Sequence, residues 1–254
     1  MAGRRPQRAR RPAPRSQHYL RSDALAAELV RGAEIVRGAL VLDIGAGSGR
    51  LTEYLARVAD RVIAIEVDPS LAHSLEGRWA NVRVVTGDAA QFALPAEPYR
   101  VVANLPFHRT TDLLHMLLEP QGHLQRADLI IEWNVAVKRA LPWPSSLNSV
   151  YWGAFFETSI ARRLHRSTFT PVPAVDAGVL VVRRRAAPLV DPRAAAEYRR
   201  FVAVGFRKGL RRVARSSATR GRLARDLDAH EWAALFSPGS DAQSRLRRVL
   251  PRSV

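Results

Sequence analysis

"VLDIGAGSGRLTEYLA", residues 41–56, passes from a strand into a helix through three closely spaced glycines. Residues 39–44 form a short apolar run with β-branched character, and Leu51, Leu55 and Val58 recur at the spacing of one helical face. Gly45, Gly47 and Gly49 between them allow the backbone to approach a ligand closely, over a helix N-terminus that favours negative charge. The dinucleotide fingerprint G-x-G-x-x-G is not matched. Its third glycine would fall at position 50, where the chain has Arg50, and Gly49 comes one position early. An acid, Asp43, precedes the first glycine instead.

Outward from this stretch the pattern alternates. "RVIAIEVD" (61–68) reads as a second strand, followed by a helix with Asp68 as N-cap and Pro69 at its first position. "VRVVTGD" (82–88), "YRVVAN" (99–104), "ADLIIEW" (127–133) and "GVLVVR" (178–183) are further strands, with "TTDLLHMLLE" (110–119) as a helix. Near-continuous apolar strands alternating with helices predict an α/β, Rossmann-like, doubly wound sheet. After Pro188 the sequence turns Ala-, Arg- and Leu-rich at helical spacing, which predicts a small all-helical C-terminal domain over 190–254 behind a catalytic domain over 16–189.

Three strand ends carry carboxylates. Glu66 closes the second strand about twenty residues past Gly45, where a carboxylate can accept from both hydroxyls of a ribose. Asp88, after the third, suits an adenine amine. With Asp43 they fit a nucleoside cofactor lying along the carboxyl edge of the sheet. Glu66 alone does not separate NAD from S-adenosylmethionine, but D-x-G-x-G-x-G after a first strand resembles the S-adenosylmethionine loop of class I methyltransferases.

The fourth strand ends in Asn104, Leu105, Pro106 and Phe107 on the same edge. This tetrapeptide is similar to those of enzymes that methylate amino nitrogens. An exocyclic adenine amine is a poor nucleophile because its lone pair is delocalised into the ring. The side-chain oxygen of Asn104 and the carbonyl of Leu105 can each accept one of its N–H groups, turning the lone pair toward a methyl donor and stabilising the charge that develops. Pro106 fixes its own φ and holds Leu105 extended, and Phe107 offers a face for the base, worth ~1–3 kcal/mol. His108 adjoins the site, although the chemistry requires no strong base.

The chain carries 40 basic against 23 acidic residues, a net charge of +17, and all but two of its cations are arginines. Such a balance favours a polyanionic partner, and arginine's planar fork suits RNA. Residues 1–15 hold six arginines and no acid, a disordered basic arm with Arg4, Arg5, Arg8, Arg10 and Arg11 as candidate phosphate contacts. Residues 199–225 hold ten basic residues and no acid, and Arg207, Lys208, Arg211, Arg212 and Arg215 are candidates there. The absence of cysteine excludes disulfides and thiolate chemistry. No metal-ligand spacing occurs, no apolar signal region follows the basic start, and no run is long enough to cross a membrane. The expectation is a cytoplasmic protein.

Four blocks, "SQHYL" (16–20), "DIGAGSG" (43–49), "NLPFHRTTDLL" (104–114) and "FTPVPAVDAGV" (169–179), together resemble the rRNA adenine N6-methyltransferases, the superfamily of KsgA-type small-subunit enzymes and Erm macrolide-resistance enzymes. Phe107 at the fourth motif position, where KsgA-type enzymes usually have Tyr, resembles the Erm branch. The resemblance implies S-adenosylmethionine as cofactor, with His18 and Leu20 lining its site beside Gly45, Glu66, Asp88 and Asn104. His18 departs from the Asn usual in the family. It also implies a second aromatic, Phe169, sandwiching the flipped base with Phe107. The implied reaction is mono- or dimethylation of one adenine in the peptidyl-transferase loop of 23S rRNA, domain V, by a monomer acting on protein-free or early precursor RNA. The product would obstruct macrolide, lincosamide and streptogramin B binding. The alternatives are a KsgA-type 16S rRNA dimethyltransferase and an RNA-binding relative without catalysis.

Overall fold

The computed structural model describes residues 18–140, 145–214 and 219–236. The arm with Arg4, Arg5, Arg8, Arg10 and Arg11, and also Arg215, lies outside the described residues.

In chain order the elements are β1 (Tyr19–Leu20), α1 (Asp23–Gly32), β2 (Leu40–Ile44), α2 (Arg50–Val58), β3 (Arg61–Glu66), α3 (Pro69–Leu75), β4 (Val82–Thr86), β5 (Tyr99–Asn104), α4 (Thr110–Leu117), β6 (Leu124–Glu132), α5 (Trp133–Ala140), α6 (Leu147–Gly153), β7 (Phe156–Leu164), β8 (Phe169–Thr170), β9 (Ala177–Arg184), α7 (Ala195–Lys208) and α8 (Ala229–Phe236). Seven strands form one sheet in the order β4-β3-β2-β5-β6-β9-β7. The pairings from β4 through β6 are parallel, and β9 runs antiparallel to both β6 and β7. This is the Rossmann-like, doubly wound arrangement the apolar strands predict.

The chain winds outward from β2 to β3 and β4, then returns to the other side of β2 with β5. The order therefore reverses between β2 and β5, and the crevice of such a sheet opens beyond the strand ends at that point. Gly45 follows β2 and Asn104 ends β5, so the reversal sets the two motifs side by side. All five residues of β2 are buried, as a central strand covered on both faces requires. Asp68 caps α3 as expected, its side chain accepting from Ser70 N and Leu71 N, with Pro69 in the first turn.

Two local expectations change. Leu51 and Leu55 of α2 are buried, but Val58 is 49% exposed, because the helix ends there and the next residue turns extended. Thr52, fully buried, takes the inward place. The strand β7 has no counterpart in the sequence reading. Most of it is exposed, its antiparallel pairing with β9 shifts register between Ile160 and Arg162, and little apolar pattern is left to mark it.

The described part of the C-terminal segment, which ends at Phe236, is helical, as its composition predicts. Tyr198 and Phe201 of α7 and Trp232 and Phe236 of α8 pack with Tyr151 and Phe155 in the apolar cluster that also contains Leu42, Val101 and Leu129 of the sheet. Arg207, Lys208, Arg211 and Arg212 all stand exposed at the end of α7 and just beyond it. Among the described residues no helix is long and apolar enough to cross a membrane, and no group of acidic and histidine side chains is placed to hold a metal.

Candidate active site

A cavity opens at the reversal point, lined by residues from five chain segments, among them His18 and Tyr19, Gly45, Glu66, Gly87 and Asp88, and Asn104 through Arg109. The short sheet between β1 and β8 gathers the first of these. Tyr19 pairs with Thr170 and Leu20 with Phe169, so residues far apart in sequence approach the end of β5 together.

Asn104 is fixed by this arrangement. Its amide nitrogen donates to the carbonyl of His18 at 2.6 Å. Its side-chain oxygen is buried and has no hydrogen-bond partner among the described residues. A buried acceptor left this way costs about 1–3 kcal/mol, so the position is one that awaits a donor. Pro106, at φ −61 and ψ 119, turns the chain after the strand, and its carbonyl accepts from Arg109 N at 2.9 Å.

Glu66 is equally fixed. One carboxylate oxygen accepts from Gly47 N at 2.8 Å and the other from Asp68 N at 2.9 Å. Two backbone N–H groups thus hold this buried carboxylate in a fixed orientation at the cavity. Asp88 lines the cavity too, one oxygen accepting from Ala90 N at 3.0 Å and the other from Arg109 Nη1 at 3.2 Å.

Asp43 is elsewhere than the sequence suggests. It lies under the glycine loop, fully buried, with one oxygen accepting from Thr52 Oγ1 at 2.6 Å. The cause is its place on the central, doubly covered strand. Burial pushes its carboxyl up to about 7, the nearby Glu66 adds to this, and the Thr52 hydrogen bond opposes it. Its other oxygen has no partner among the described residues. A small side hollow next to it is lined by Tyr19, Leu20, Gly45 and Asn104. Leu20 lies in that hollow and not in the main cavity.

The glycines divide in the same way. Of the three loop glycines Gly45 alone lines the main cavity, and a Cβ there would stand 3.6 Å from the Asn104 carbonyl. A Cβ on Gly47 would come within 2.5 Å of the Tyr19 ring, and one on Gly49 within 2.5 Å of Leu75. Gly47 therefore seats Tyr19, and Gly49, at φ +83, starts α2 against α3.

Phe107 is half-buried at the cavity, its ring 5.6 Å from that of His18 and tilted by 44°. Phe169 is fully buried, with its ring 6.4 Å from Phe107 and edge-on at 76°. The expected sandwich of two facing rings does not form here. Pairing of Phe169 with Leu20 in the small sheet drives its ring into the core, where it braces Phe107 from behind.

Tyr19 and Arg109 also line the cavity, although no spacing in the sequence marks their side chains. Burial, with Glu66 and Asp68 nearby, raises the Tyr19 hydroxyl above its ordinary value. Only the distance of each from its neighbours in three dimensions reveals them, since Arg109 meets Asp88 across two different strand ends.

Residues 13–224 match the family described as ribosomal RNA adenine dimethylase. The mycinamicin-resistance protein MyrB of Micromonospora griseorubida is 35% identical over 216 residues, covering 77% of this chain and 68% of that one. An rRNA adenine N-6-methyltransferase of Streptomyces fradiae is 35% identical over 220 residues, covering 84% and 68%. The crystal structure of the 23S rRNA methyltransferase ErmE superimposes with a TM-score of 0.75 at 27% identity, over 90% of this chain and 99% of that one. The orphaned Asn104 oxygen, the Glu66 cradle and the side hollow at Asp43 suit a nucleoside with a charged tail. A family match that takes in every residue of this cavity makes the chain a member of the ribosomal RNA adenine dimethylase family, an S-adenosylmethionine-dependent rRNA adenine N6-methyltransferase.

Proposed function

We propose that the enzyme methylates N6 of a single adenine in the peptidyl-transferase loop of 23S rRNA, domain V, acting as a monomer on protein-free or early precursor RNA. The modification then confers macrolide, lincosamide and streptogramin B resistance. The observation that carries the chemistry is the buried, unpartnered oxygen of Asn104 beside Pro106 and Phe107. Phe107 in the tetrapeptide and relatives named for mycinamicin resistance and for 23S rRNA methylation support the choice of substrate.

S-adenosylmethionine, when bound, supplies an electrophilic methyl on a sulfonium that leaves readily. The chain supplies position. Glu66 holds the ribose hydroxyls, Asp88 takes the adenine end of the cofactor, and Gly45 lets it pass close to the strand end. Because the Asn104 nitrogen is committed to His18, its oxygen is the atom that accepts one N–H of the target amine. The Leu105 carbonyl accepts the other, and Phe107 stacks on the base. Held so, the nitrogen lone pair points at the methyl, and both acceptors stabilise the cationic nitrogen as it forms. The extra proton then leaves to solvent, which requires no buried base. Arg207, Lys208, Arg211 and Arg212 hold the RNA backbone without reading sequence, and the arm with Arg4, Arg5, Arg8, Arg10, Arg11 adds to them.

Methyl transfer from labelled S-adenosylmethionine to protein-free 23S and 16S rRNA tests the reading, followed by primer extension. The expected result is a stop at one adenine of the peptidyl-transferase loop. Label confined to 16S rRNA would replace the proposal with a small-subunit role.

A further inference from the structure

Beyond Asn104, across the ends of β6, β9 and β7, the same edge of the sheet carries a second arrangement that the methyl-transfer site does not use. Asn104 of β5 is level with Ile130 of β6; β6 ends two residues later at Glu132, and Trp133 starts α5 directly after it. The indole lies on β9 at Gly178, where a Cβ would stand 3.1 Å from the ring and 3.1 Å from Ala136. Arg163 of β7 is level with Gly178. Its guanidinium sits over the indole with its carbon 4.8 Å from the ring centroid. Asp176 holds that guanidinium edge-on, accepting from Arg163 Nε at 2.9 Å and pairing with Nη2 at 2.8 Å. Asp176 also accepts from Arg166 N at 3.0 Å, and its backbone carbonyl accepts from Trp133 N at 2.9 Å. The Arg163 side chain nevertheless remains 59% exposed.

Two of the guanidinium's surfaces are thus taken, one face by indole and one edge by carboxylate. What is left open is a planar face at fixed orientation. Its charge is matched by Asp176, so phosphate gains little from it, whereas the plane itself suits a nucleobase, which stacks on guanidinium groups as it does on aromatic rings. The opposite end of the same strands offers a contrast. Arg184 covers Phe156 there at 4.7 Å but donates to the carbonyls of Leu124, Pro120 and Gly122, an arrangement that ties loops together. Among the described residues, Arg163 donates to the acid that orients it.

We propose that Arg163, seated on Trp133 and squared by Asp176, is a stacking platform for an rRNA base that flanks the methylated adenine. The inference rests on the reading of the Asn104 cavity as the place of an extruded adenine. Extruding one base breaks the stack on both sides, and a platform farther along the same sheet edge, with Trp133 at the end of the neighbouring strand β6 and Arg163 on β7 three strands from β5, recovers part of that loss for a neighbour.

The test compares Arg163→Ala and Arg163→Lys with the unaltered enzyme, using fluorescence anisotropy on a labelled single-stranded oligonucleotide that spans the target adenine. Lysine keeps the charge and the Asp176 pair but has no plane. Both variants are expected to bind at least about fivefold more weakly, the low end of a base–aromatic stack, while S-adenosylmethionine affinity is unchanged. A series of oligonucleotides with an abasic nucleotide at each position flanking the target should contain one on which unaltered enzyme and Arg163→Lys bind equally. If Arg163→Lys binds as tightly as the unaltered enzyme, or if no abasic position erases the difference, the platform is refuted. Binding is read without methyl transfer, so a 16S preference would refute the proposed substrate and leave this test standing, with the oligonucleotide then drawn from the 16S target.

Discussion

The loops after β2 and β5 meet at the point where the sheet reverses, yet they are built in opposite senses. The glycine loop faces inward. Gly47 makes room for Tyr19, Gly49 for Leu75, and Asp43 is turned beneath it to Thr52. The Asn104–Phe107 loop faces outward, its backbone anchored and its amide oxygen left over. The first loop is therefore a device for keeping the cavity in shape, and of its glycines Gly45 alone lines the cavity. In the proposed mechanism the second holds the groups that act on the reacting nitrogen. The difference predicts two kinds of damage: loss of stability or cofactor affinity on the first side, and loss of turnover on the second.

The largest effect expected is that of Asn104→Ala. Removing one acceptor aimed at developing charge costs about 10²–10³ in kcat, whereas the fold loses a single hydrogen bond to His18. Single-turnover transfer at saturating cofactor, measured with thermal unfolding, should show a collapsed rate and a nearly unchanged Tm. A rate within tenfold of the unaltered enzyme would mean that the amide does not receive the amine. Gly49→Ala should do the reverse. At φ +83 an L side chain costs roughly 1–2 kcal/mol, and the new Cβ must also push Leu75 aside from 2.5 Å. Thermal unfolding should shift down by several degrees, with turnover at saturating cofactor close to normal. An unchanged Tm would show that α2 and α3 give way there without cost.

The same contrast explains what the sequence makes legible. The strand–loop–helix at 41–56 and the strands 61–66, 82–86 and 99–104 announce themselves because each is a local pattern of apolar residues with glycine or proline at its ends. Asn104 to Phe107 is legible because it closes such a strand. The roles of Asp43 and Phe169 are not, since both depend on partners that no spacing reveals: Thr52 inside α2 for one, the pairing of β1 with β8 for the other. Strand β7 is invisible for a related reason. An exposed edge strand carrying Arg162 and Arg163 lacks the alternation that marks a half-buried one. Yet it supplies the guanidinium of the Trp133 platform.

Asp43 sharpens the inward side of the comparison through pH. Its carboxyl is raised by burial to about 7 in the folded protein, against about 3.9 in an unfolded chain. Between these values the folded state holds a proton that the unfolded chain has released. Stability from this group is therefore complete at low pH and is lost as pH rises from about 4 through 7. Asp43→Asn keeps an acceptor for Thr52 and removes the titration. Urea unfolding of the two proteins at pH 5, 6, 7 and 8 should show the unaltered enzyme losing stability relative to the variant up to pH 7 and running parallel above it. A constant difference across the series would place Asp43 in contact with water.

Arg109 belongs to neither side, and for that reason its effect is expected to be the smallest. It follows directly on the outward loop, yet its guanidinium reaches Asp88 at 3.2 Å on the cofactor side and Asp112 at 3.4 Å in the first turn of α4. About a third of each partner in the Asp88 pair is exposed, and pairs so exposed contribute about 0–1 kcal/mol and weaken with salt. Arg109→Gln should raise the KM for S-adenosylmethionine by less than about fivefold, with the increase fading in high salt. The KM for RNA should move less, because the residue bears on Asp88 and not on the target base. A larger change in the RNA term would instead make Arg109 part of the outward loop's work, and the division between a shaping side and a reacting side would then run through Asp88 and not between the two strands.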